Sequence, residues 1–180
     1  MKVVRPTNNI LSFSMKEKEQ RVAVLVDVGN MYHSARALHN ARVNYREVLK
    51  AVVDGRKLIR ANAYVIRSHS QEEEGFFEAL EKSGFYLKFK DLQIFPGGVK
   101  KGDWDVGICI DAIRMSSRID VIILVTGDGD FEPLVEYLQN QGVQVEVAAF
   151  RESASHKLLE KADVFVDLSS DVKRFTIPIR

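Results

Sequence analysis

Runs of apolar residues alternate along this chain with segments in which apolar and polar residues recur at helical spacing. The runs are typical of strands, and the segments between them predict helices. The strand-like runs are "VAVLVD" from Val22, "ANAYVIR" from Ala61, "FYLKFK" from Phe85, "VIILV" from Val121 and "VQVEVAAF" from Val143. Strands this apolar need cover on both faces, so the sequence predicts an α/β fold in which a mainly parallel sheet lies between two helix layers.

The same pattern divides the chain into three parts. Residues 1–20 show no sustained periodicity and are expected to form a mobile arm or to contribute an edge segment. Residues 21–168 contain the predicted strands and helices and form one domain, and residues 169–180 are left as a tail. A single domain also suits the length of 180 residues and the apolar fraction of 46%.

Composition narrows the classes of function. The formal net charge of +1 provides no global positive field for a nucleic acid, so a basic surface would have to be local. The single cysteine, Cys109, excludes a disulfide framework and a metal site built from cysteines. No apolar run approaches the roughly 20 residues that span a bilayer. We therefore expect a cytoplasmic protein without a membrane segment.

Acidic side chains follow two of the predicted strands at the point where each strand ends. Asp27 ends "VAVLVD", and Asp128 and Asp130 follow "VIILVT". In an open parallel sheet, ligands bind outside the carboxyl ends of the strands, where the strand order reverses. If these two strands are neighbours, the three carboxylates converge. Asp105 lies on the apolar face of the preceding helix and is a fourth candidate, whereas Asp111 lies about 120° round that helix and is a weaker one.

A cluster of this kind needs something to offset its charge. Two carboxylates about 4 Å apart repel by roughly 4 kcal/mol at an effective dielectric of about 20. Clustered carboxylates with open positions are the ligands that Mg²⁺ and Mn²⁺ prefer. Such an ion acidifies a water and stabilises the leaving oxygen of a phosphodiester. The sequence therefore predicts a Mg²⁺ or Mn²⁺ site that supports phosphodiester hydrolysis.

Three motifs carry these residues in a characteristic order. They are "DVGN" from Asp27, "KGDWDV" from Lys101 and "TGDGDF" from Thr126. In this order they resemble the motifs of the LabA-like branch of NYN domains, which belong to the PIN-like nuclease superfamily. The resemblance covers about residues 21–168. It implies a Rossmann-like α/β/α sandwich and the metal-dependent cleavage of RNA by clustered aspartates.

The resemblance also implies roles for the acidic residues. Asp27, Asp105, Asp128 and Asp130 match the positions that hold the metal and carry the catalysis. The central motif contains two aspartates, so Asp103 competes with Asp105 for the inner position or caps the helix that follows. We favour Asp105 as the metal ligand because it begins the apolar face of the helix.

Three further residues match the substrate-binding part of the motifs. Asn30 matches the asparagine after the first aspartate, Thr126 the small hydroxyl residue of the last motif, and Lys101 a lysine whose implied role is to hold a phosphate. Each also has a purely structural interpretation: Asn30 as a helix cap, Thr126 as an ordinary strand residue and Lys101 as a solvated charge. Asp128 and Asp130 can likewise cap the next helix, because aspartate is favoured there.

Basic and aromatic residues near this edge favour single-stranded RNA as the partner. Arg151 follows the "VQVEVAAF" strand at the same edge and can contact a phosphate. Tyr32 and Trp104 can stack on a base, whereas Phe131 is expected to pack in the core. The rest of the basic rim consists of Arg67, Lys88 and Lys90.

The sequence leaves two functions open. The one we favour is a metal-dependent ribonuclease, and the alternative is a non-catalytic RNA-binding or regulatory module that keeps the acidic pocket. A phosphatase of the haloacid dehalogenase type is disfavoured because Gly29 occupies the place of its second aspartate. A Toprim domain is disfavoured because Asp27 stands where that domain usually brings a glutamate. The arm and the tail are the segments through which the chain could form a homodimer.

Overall fold

A central sheet of seven strands forms the body of the protein. The computed structural model describes residues 3–4, 17–68, 73–94, 96–98 and 100–179, excluding the side chains of residues 3, 4, 94, 100 and 101. The strands within these ranges are β1 (Val3–Val4), β2 (Arg21–Asp27), β3 (Ala41–Val43), β4 (Lys57–Arg67), β5 (Tyr86–Asp91), β6 (Gln93–Ile94), β7 (Lys100–Lys101), β8 (Val121–Val125), β9 (Gln144–Ala149), β10 (Val164–Asp167) and β11 (Thr176–Pro178).

The order of strands in the central sheet is β1-β10-β9-β8-β2-β4-β5. All neighbouring pairs are parallel except β1 and β10, which are antiparallel. Two small antiparallel sheets, β3 with β11 and β6 with β7, lie outside it. The mainly parallel sheet that the apolar runs predict is therefore confirmed.

Helices cover both faces of this sheet. They are α1 (Val28–His39), α2 (Tyr45–Val53), α3 (Glu73–Lys82), α4 (Asp105–Ser116), α5 (Glu132–Asn140), α6 (His156–Lys161) and α7 (Val172–Phe175). Val22, Val24 and Val26 of β2 pack in one core with α1 and α2, while Ala23 and Leu25 pack in a second core with α4 and α5. The three-layer α/β/α sandwich is thus confirmed as well. Among the described helices, none has the length and apolar character needed to cross a membrane.

The strand order reverses between β2 and β8. From β2 the chain adds β4 and β5 on one side, and it then returns to add β8, β9 and β10 on the other. Val26 of β2 pairs with Val125 of β8, so these two strands end side by side. Because neighbouring parallel strands on opposite sides of a reversal leave a crevice at their carboxyl ends, this edge is where a ligand site is expected.

Both chain termini contribute strands. Val3–Val4 pair with β10 at the edge of the sheet, which is the contributed edge segment that residues 1–20 could form; residues 5–16 lie outside the described residues. The segment after residue 168, taken from the sequence as a tail, contains α7 and β11. Phe175 is fully buried, and β11 pairs with β3. Elements of three or four residues are too short to show periodicity in a sequence.

A buried ion pair joins the start of β4 to β9. The Arg56 guanidinium contacts both carboxylate oxygens of Glu146, at 2.7 and 2.9 Å, and neither side chain is exposed to solvent. Arg56 also donates to the carbonyl oxygens of Val52 and Val53, at 2.6 and 3.1 Å. The arginine therefore neutralises the buried carboxylate and also donates hydrogen bonds to the last carbonyl groups of α2.

A candidate metal centre at the strand reversal

Three carboxylates meet at the carboxyl ends of the strands. Asp105, Asp128 and Asp130 each present one oxygen atom, and these three oxygens lie within 4.8 Å of one another. Asp105 begins α4, while Asp128 and Asp130 lie in the loop after β8. Asp105 and Asp128 are half-buried and Asp130 is exposed, so the cluster is open to solvent on one side.

The loop after β8 holds its aspartates through local hydrogen bonds. Asp128 accepts from the backbone N–H of Asp130 at 3.0 Å and so caps a short 3₁₀ helix, Gly129–Phe131. The buried Thr126 hydroxyl accepts from the backbone N–H of Asp128 at 3.2 Å. The prediction that Asp128 caps a helix is therefore correct. Asp128 also belongs to the cluster, because the cap occupies only one of its two carboxylate oxygens.

Asn30 connects the first turn of α1 to the loop after β8 at the strand reversal. Asp27 caps α1 by accepting from the backbone N–H of Asn30 at 3.0 Å. The side-chain oxygen of Asn30 accepts from the backbone N–H of Gly127 at 2.9 Å. The interpretation of Asn30 as the cap of this helix is wrong, because the helix begins three residues earlier than its cap would require and Asp27 takes that role.

Asp27 lies beside the cluster and is electrostatically coupled to it. Burial raises the pKa of its carboxyl, the N–H of Asn30 partly offsets that rise, and the charges of Asp105 and Asp128 add to it. The pKa of the Tyr45 hydroxyl is also raised, first by burial and then by the charge of Asp27. The charges of Asp105 and Asp128 therefore reach Asp27, which is the fourth acidic side chain of this edge.

Asp105, and not Asp103, is the residue of the central motif that joins the cluster. Burial raises the pKa of Asp105, the charges of Asp128, Asp103 and Asp130 raise it further, and Lys90 lowers it. Asp103 is exposed, and its carbonyl oxygen accepts a 2.8 Å hydrogen bond from Lys90. Trp104, not Asp103, stands at the cap position of α4.

Asp111, the weaker candidate on α4, is engaged elsewhere. It accepts a hydrogen bond from the Tyr64 hydroxyl at 2.8 Å and pairs with Lys88 at 2.8 Å. Tyr64 lies on β4 and Lys88 on β5. Asp111 therefore fastens α4 to the sheet.

Close packing behind the loop after β8 fixes the path of its backbone. A Cβ on Gly127 would lie 3.0 Å from the Cα of Ala154 and 3.1 Å from the carbonyl oxygen of Ser153, and a Cβ on Gly129 would lie 2.7 Å from Ser155 Oγ. The carbonyl oxygen of Gly127 accepts from the backbone N–H of Ser155 at 2.8 Å. Sequence reasoning missed this support, because nothing local links residues 153–155 to the motif; the repeated glycine was the only available signal.

Arg151 and Lys101 differ in what the structure shows of them. Arg151 follows β9 at the same edge; its Nε donates to Asp167 at 2.7 Å and its guanidinium lies 4.8 Å from the centre of the Phe165 ring. Its side chain is 44% exposed, so part of the guanidinium remains open to a ligand. Lys101 lies in β7, and its side chain is outside the described residues. A phosphate contact by either residue stays a prediction.

The aromatic candidates divide between the core and the surface. Phe131 is fully buried, as expected of a core residue. Trp104 is half-buried; its Nε1 donates to the carbonyl oxygen of Val65 at 3.0 Å and its ring packs edge-on against Tyr64. Tyr32 on α1 is 43% exposed. Of the three, Tyr32 offers the most open ring for stacking.

The donor set of the cluster fits a hard divalent cation. Oxygen ligands of an octahedral Mg²⁺ lie at about 2.1 Å from the ion, so neighbouring ligands are about 3 Å apart and opposite ligands about 4.2 Å apart. The three carboxylate oxygens, within 4.8 Å of one another, are spaced close to these ligand–ligand distances. Burial, and then the charges of Asp128, Asp103 and Asp130, raise the pKa of Asp105, and a cation would relieve the repulsion among these charges. The residues that would hold the ion are Asp105, Asp128 and Asp130, with Asp27 beside them.

Comparison with known proteins agrees with this picture. The chain is 26% identical over 169 residues to the low amplitude and bright protein LabA of Synechococcus elongatus, a match that covers 89% of this chain and 90% of LabA. It is also similar to the crystal structure of a Vibrio parahaemolyticus protein of unknown function, with a TM-score of 0.82 and 32% identity over 91% of this chain and 99% of that one. The sequence pattern of the NYN domain matches residues 21–169. Since that match spans most of the chain, this protein belongs to the NYN domain family, within the PIN-like nuclease superfamily.

Proposed function

We propose that this protein is a metal-dependent ribonuclease that hydrolyses phosphodiester bonds with Mg²⁺ or Mn²⁺. The observation that supports this function is the group of three carboxylate oxygens of Asp105, Asp128 and Asp130 within 4.8 Å of one another, at the strand reversal. Burial raises the pKa of Asp105 and Asp27, and the charges of neighbouring carboxylates raise it further, so the group is unfavourable without a cation. A site that keeps this charge together is suited to a cation.

The side chains have separate tasks in this proposal. Asp105, Asp128 and Asp130 hold the cation, and Asp27 adds negative charge beside them. A bound divalent cation supplies Lewis acidity, which favours attack by water on the phosphorus and departure of the leaving oxygen. Thr126 and Asn30 hold the loop that carries Asp128 through hydrogen bonds to backbone N–H groups. These two residues position the cluster, as residues around a metal site commonly do.

Cations at the rim suit a single-stranded RNA substrate. Lys90 lies near enough to Asp105 to lower its pKa, so its ammonium group can also pair with a phosphate bound at the cluster. Arg151, which is partly exposed at the end of β9, offers a second phosphate contact. Tyr32 presents an exposed ring on which a base can stack. The extended form of a single strand allows phosphates and bases to meet such residues together.

Cleavage of a labelled single-stranded RNA by the pure protein tests this function. We expect cleavage with Mn²⁺ or Mg²⁺, no cleavage with EDTA, and loss of cleavage in Asp128→Asn. Asparagine keeps the oxygen that caps Gly129–Phe131, so the variant should remain folded while it loses a negative charge. The matched control is Asp171→Asn, which alters another capping aspartate, at the start of α7.

The outcomes separate the two functions. Metal-dependent cleavage that Asp128→Asn loses and Asp171→Asn keeps would support the ribonuclease. If the wild-type protein binds RNA but cuts neither RNA nor DNA with any divalent cation, the ribonuclease proposal is wrong and a regulatory RNA-binding module is the better account. Cleavage that continues unchanged in Asp128→Asn would mean that the activity arises outside the acidic cluster.

A further inference from the structure

Apolar side chains are exposed in a stripe along α4. Val106 is 70% exposed, Ile110 43% and Ile113 41%. Their spacing of four and three residues places them on one side of the helix. The opposite side, with Ile108 and Ala112, is buried against the sheet. The helix is therefore apolar on its outer side as well as on its inner side.

The neighbouring helix α5 extends this stripe. α4 and α5 contact each other, and α5 also contacts α6. Glu136 and Gln139 lie on the edge of α5 that meets α6, because both contact Lys161. Tyr137, which is 43% exposed, lies on the other edge and so faces α4. Val106, Ile110, Ile113 and Tyr137 form one surface, here called the α4–α5 face.

Single exposed apolar residues are ordinary, but a contiguous group marks an interaction surface. We propose that the α4–α5 face is the interface of a homodimer in which a second copy of this chain packs its own α4–α5 face in the opposite direction. The axis of this two-fold arrangement passes near Ile110, so each copy buries the same side chains. The proposal does not depend on the ribonuclease function.

Charge along α4 identifies a second copy as the occupant. The exposed Asp103 lies just before the amino end of the helix, and the exposed Arg114 and Arg118 lie at or just beyond its carboxyl end. Antiparallel packing about Ile110 brings the acidic end of each helix to the basic end of the other. It also opposes the two helix dipoles favourably. An acidic or a basic partner of another kind would match only one end, whereas a second copy matches both.

Measurement of the mass in solution tests this interface. By sedimentation equilibrium between about 1 and about 100 μM, we expect a species of twice the 20.4 kDa of the chain. Ile110→Glu should raise the dimer dissociation constant by about 100-fold, since it buries two charges at the centre of the interface. Ile59→Glu is the matched control: Ile59 is 51% exposed on β4 and should leave the dimer unchanged.

The direction of packing has its own test. Arg118→Glu alone should weaken the dimer by about tenfold, and Asp103→Arg together with Arg118→Glu should restore it to within about threefold of the wild type, because the opposite charges again meet across the axis. The proposal is overturned if the wild-type chain stays at 20.4 kDa throughout this range. It is also overturned if Ile110→Glu and Ile59→Glu behave alike, or if the double variant is weaker than Arg118→Glu.

Discussion

The side-chain oxygen of Asn30 accepts a 2.9 Å hydrogen bond from the backbone N–H of Gly127, and it thereby joins the first turn of α1 to the loop that follows β8. The backbone N–H of Asn30 in turn donates to Asp27 at 3.0 Å. One residue therefore links the aspartate of the first strand to the loop that carries Asp128. A change at Asn30 should reach the metal centre without removing any carboxylate from it.

Replacement of Asn30 by alanine removes this link. A half-buried backbone N–H then lacks its acceptor, which costs about 1–3 kcal/mol of the free energy of unfolding. The loop after β8 also loses a fixed position, so the affinity for Mn²⁺ should fall by about 10–100-fold, as it does when residues around metal ligands are changed. Isothermal titration calorimetry measures the affinity, and chemical denaturation measures the stability.

Asn44→Ala is the control for this variant. Asn44 caps α2 by accepting from the backbone N–H of Glu47, and its side chain holds no part of the loop after β8. Its loss should cost about 1 kcal/mol of stability and leave the Mn²⁺ affinity unchanged. Equal affinities in Asn30→Ala and the wild type would show that the bond to Gly127 does not position the cluster.

Gly127→Ala should displace the acidic loop. The new Cβ would meet two backbone atoms, the Cα of Ala154 and the carbonyl oxygen of Ser153, which cannot turn aside as a flexible side chain does. We expect a loss of about 1–3 kcal/mol of stability, together with weaker metal-dependent cleavage of RNA. The control is Gly75→Ala on α3, where the Cβ meets open space and alanine should stabilise the helix by about 0.5–1 kcal/mol without changing cleavage.

Two neighbouring aspartates of the central motif should differ sharply in metal binding. Asp105→Asn removes one of the three clustered carboxylates, so the Mn²⁺ affinity should fall by at least about tenfold. Asp103→Asn removes an exposed carboxylate outside that group and should change the affinity by less than about twofold. Titration calorimetry measures the Mn²⁺ affinity of both variants. A larger loss of affinity in Asp103→Asn than in Asp105→Asn would assign the inner position to Asp103.

The parts of this structure that the sequence predicts are those with a repeating signal. Apolar runs predicted the parallel sheet, because a strand buried on both faces cannot be polar. The position of Asp27 and Asp128 after two such runs placed both at one edge of the sheet. The helical period of α4 favoured Asp105 over Asp103. Each of these inferences uses a spacing that is local in the chain.

Features that depend on distant contacts were beyond the sequence. The bond from Asn30 to Gly127 joins residues almost a hundred positions apart, and neither residue type indicates it. The support of Gly127 by Ala154 likewise follows from the packing of two loops. Phe175 is buried, but it belongs to α7, which is too short to show a helical period in the sequence. Such contacts are fixed by the completed fold and leave no local pattern behind.

The buried pair of Arg56 and Glu146 should be costly to break on one side only. Arg56→Met leaves a carboxylate buried without its cation, so the free energy of unfolding should fall by about 3–5 kcal/mol. The double variant Arg56→Met, Glu146→Leu removes both charges and should recover most of that loss. As a control, Lys82→Met breaks the exposed pair with Glu78 and should cost less than about 0.5 kcal/mol. Additive losses in the double variant would contradict this account.

Asp27→Asn should stabilise the metal-free protein at neutral pH. Burial raises the pKa of Asp27 above its ordinary value of 3.8, so the folded protein binds this proton more tightly than the unfolded chain does. Stability therefore falls as pH rises above 3.8 and through the raised pKa, and the whole cost is present at pH values beyond it. Asparagine removes this cost and keeps the oxygen that caps α1. In EDTA at neutral pH, we expect the melting temperature of Asp27→Asn to exceed that of the wild type by about 2–4 °C. Below pH 3.8 we expect no difference in melting temperature between the two proteins.

Asp120→Asn should give the opposite pH dependence and serves as the control. Hydrogen bonds from Arg21 lower the pKa of Asp120, so its charged form stabilises the fold at neutral pH and that contribution is lost as pH falls. Mn²⁺ separates the two variants further: it should raise the melting temperature of the wild type and of Asp120→Asn more than that of Asp27→Asn, because a cation binds more weakly beside a neutral side chain. Equal shifts with Mn²⁺ in all three proteins would show that Asp27 lies outside the field of the bound ion.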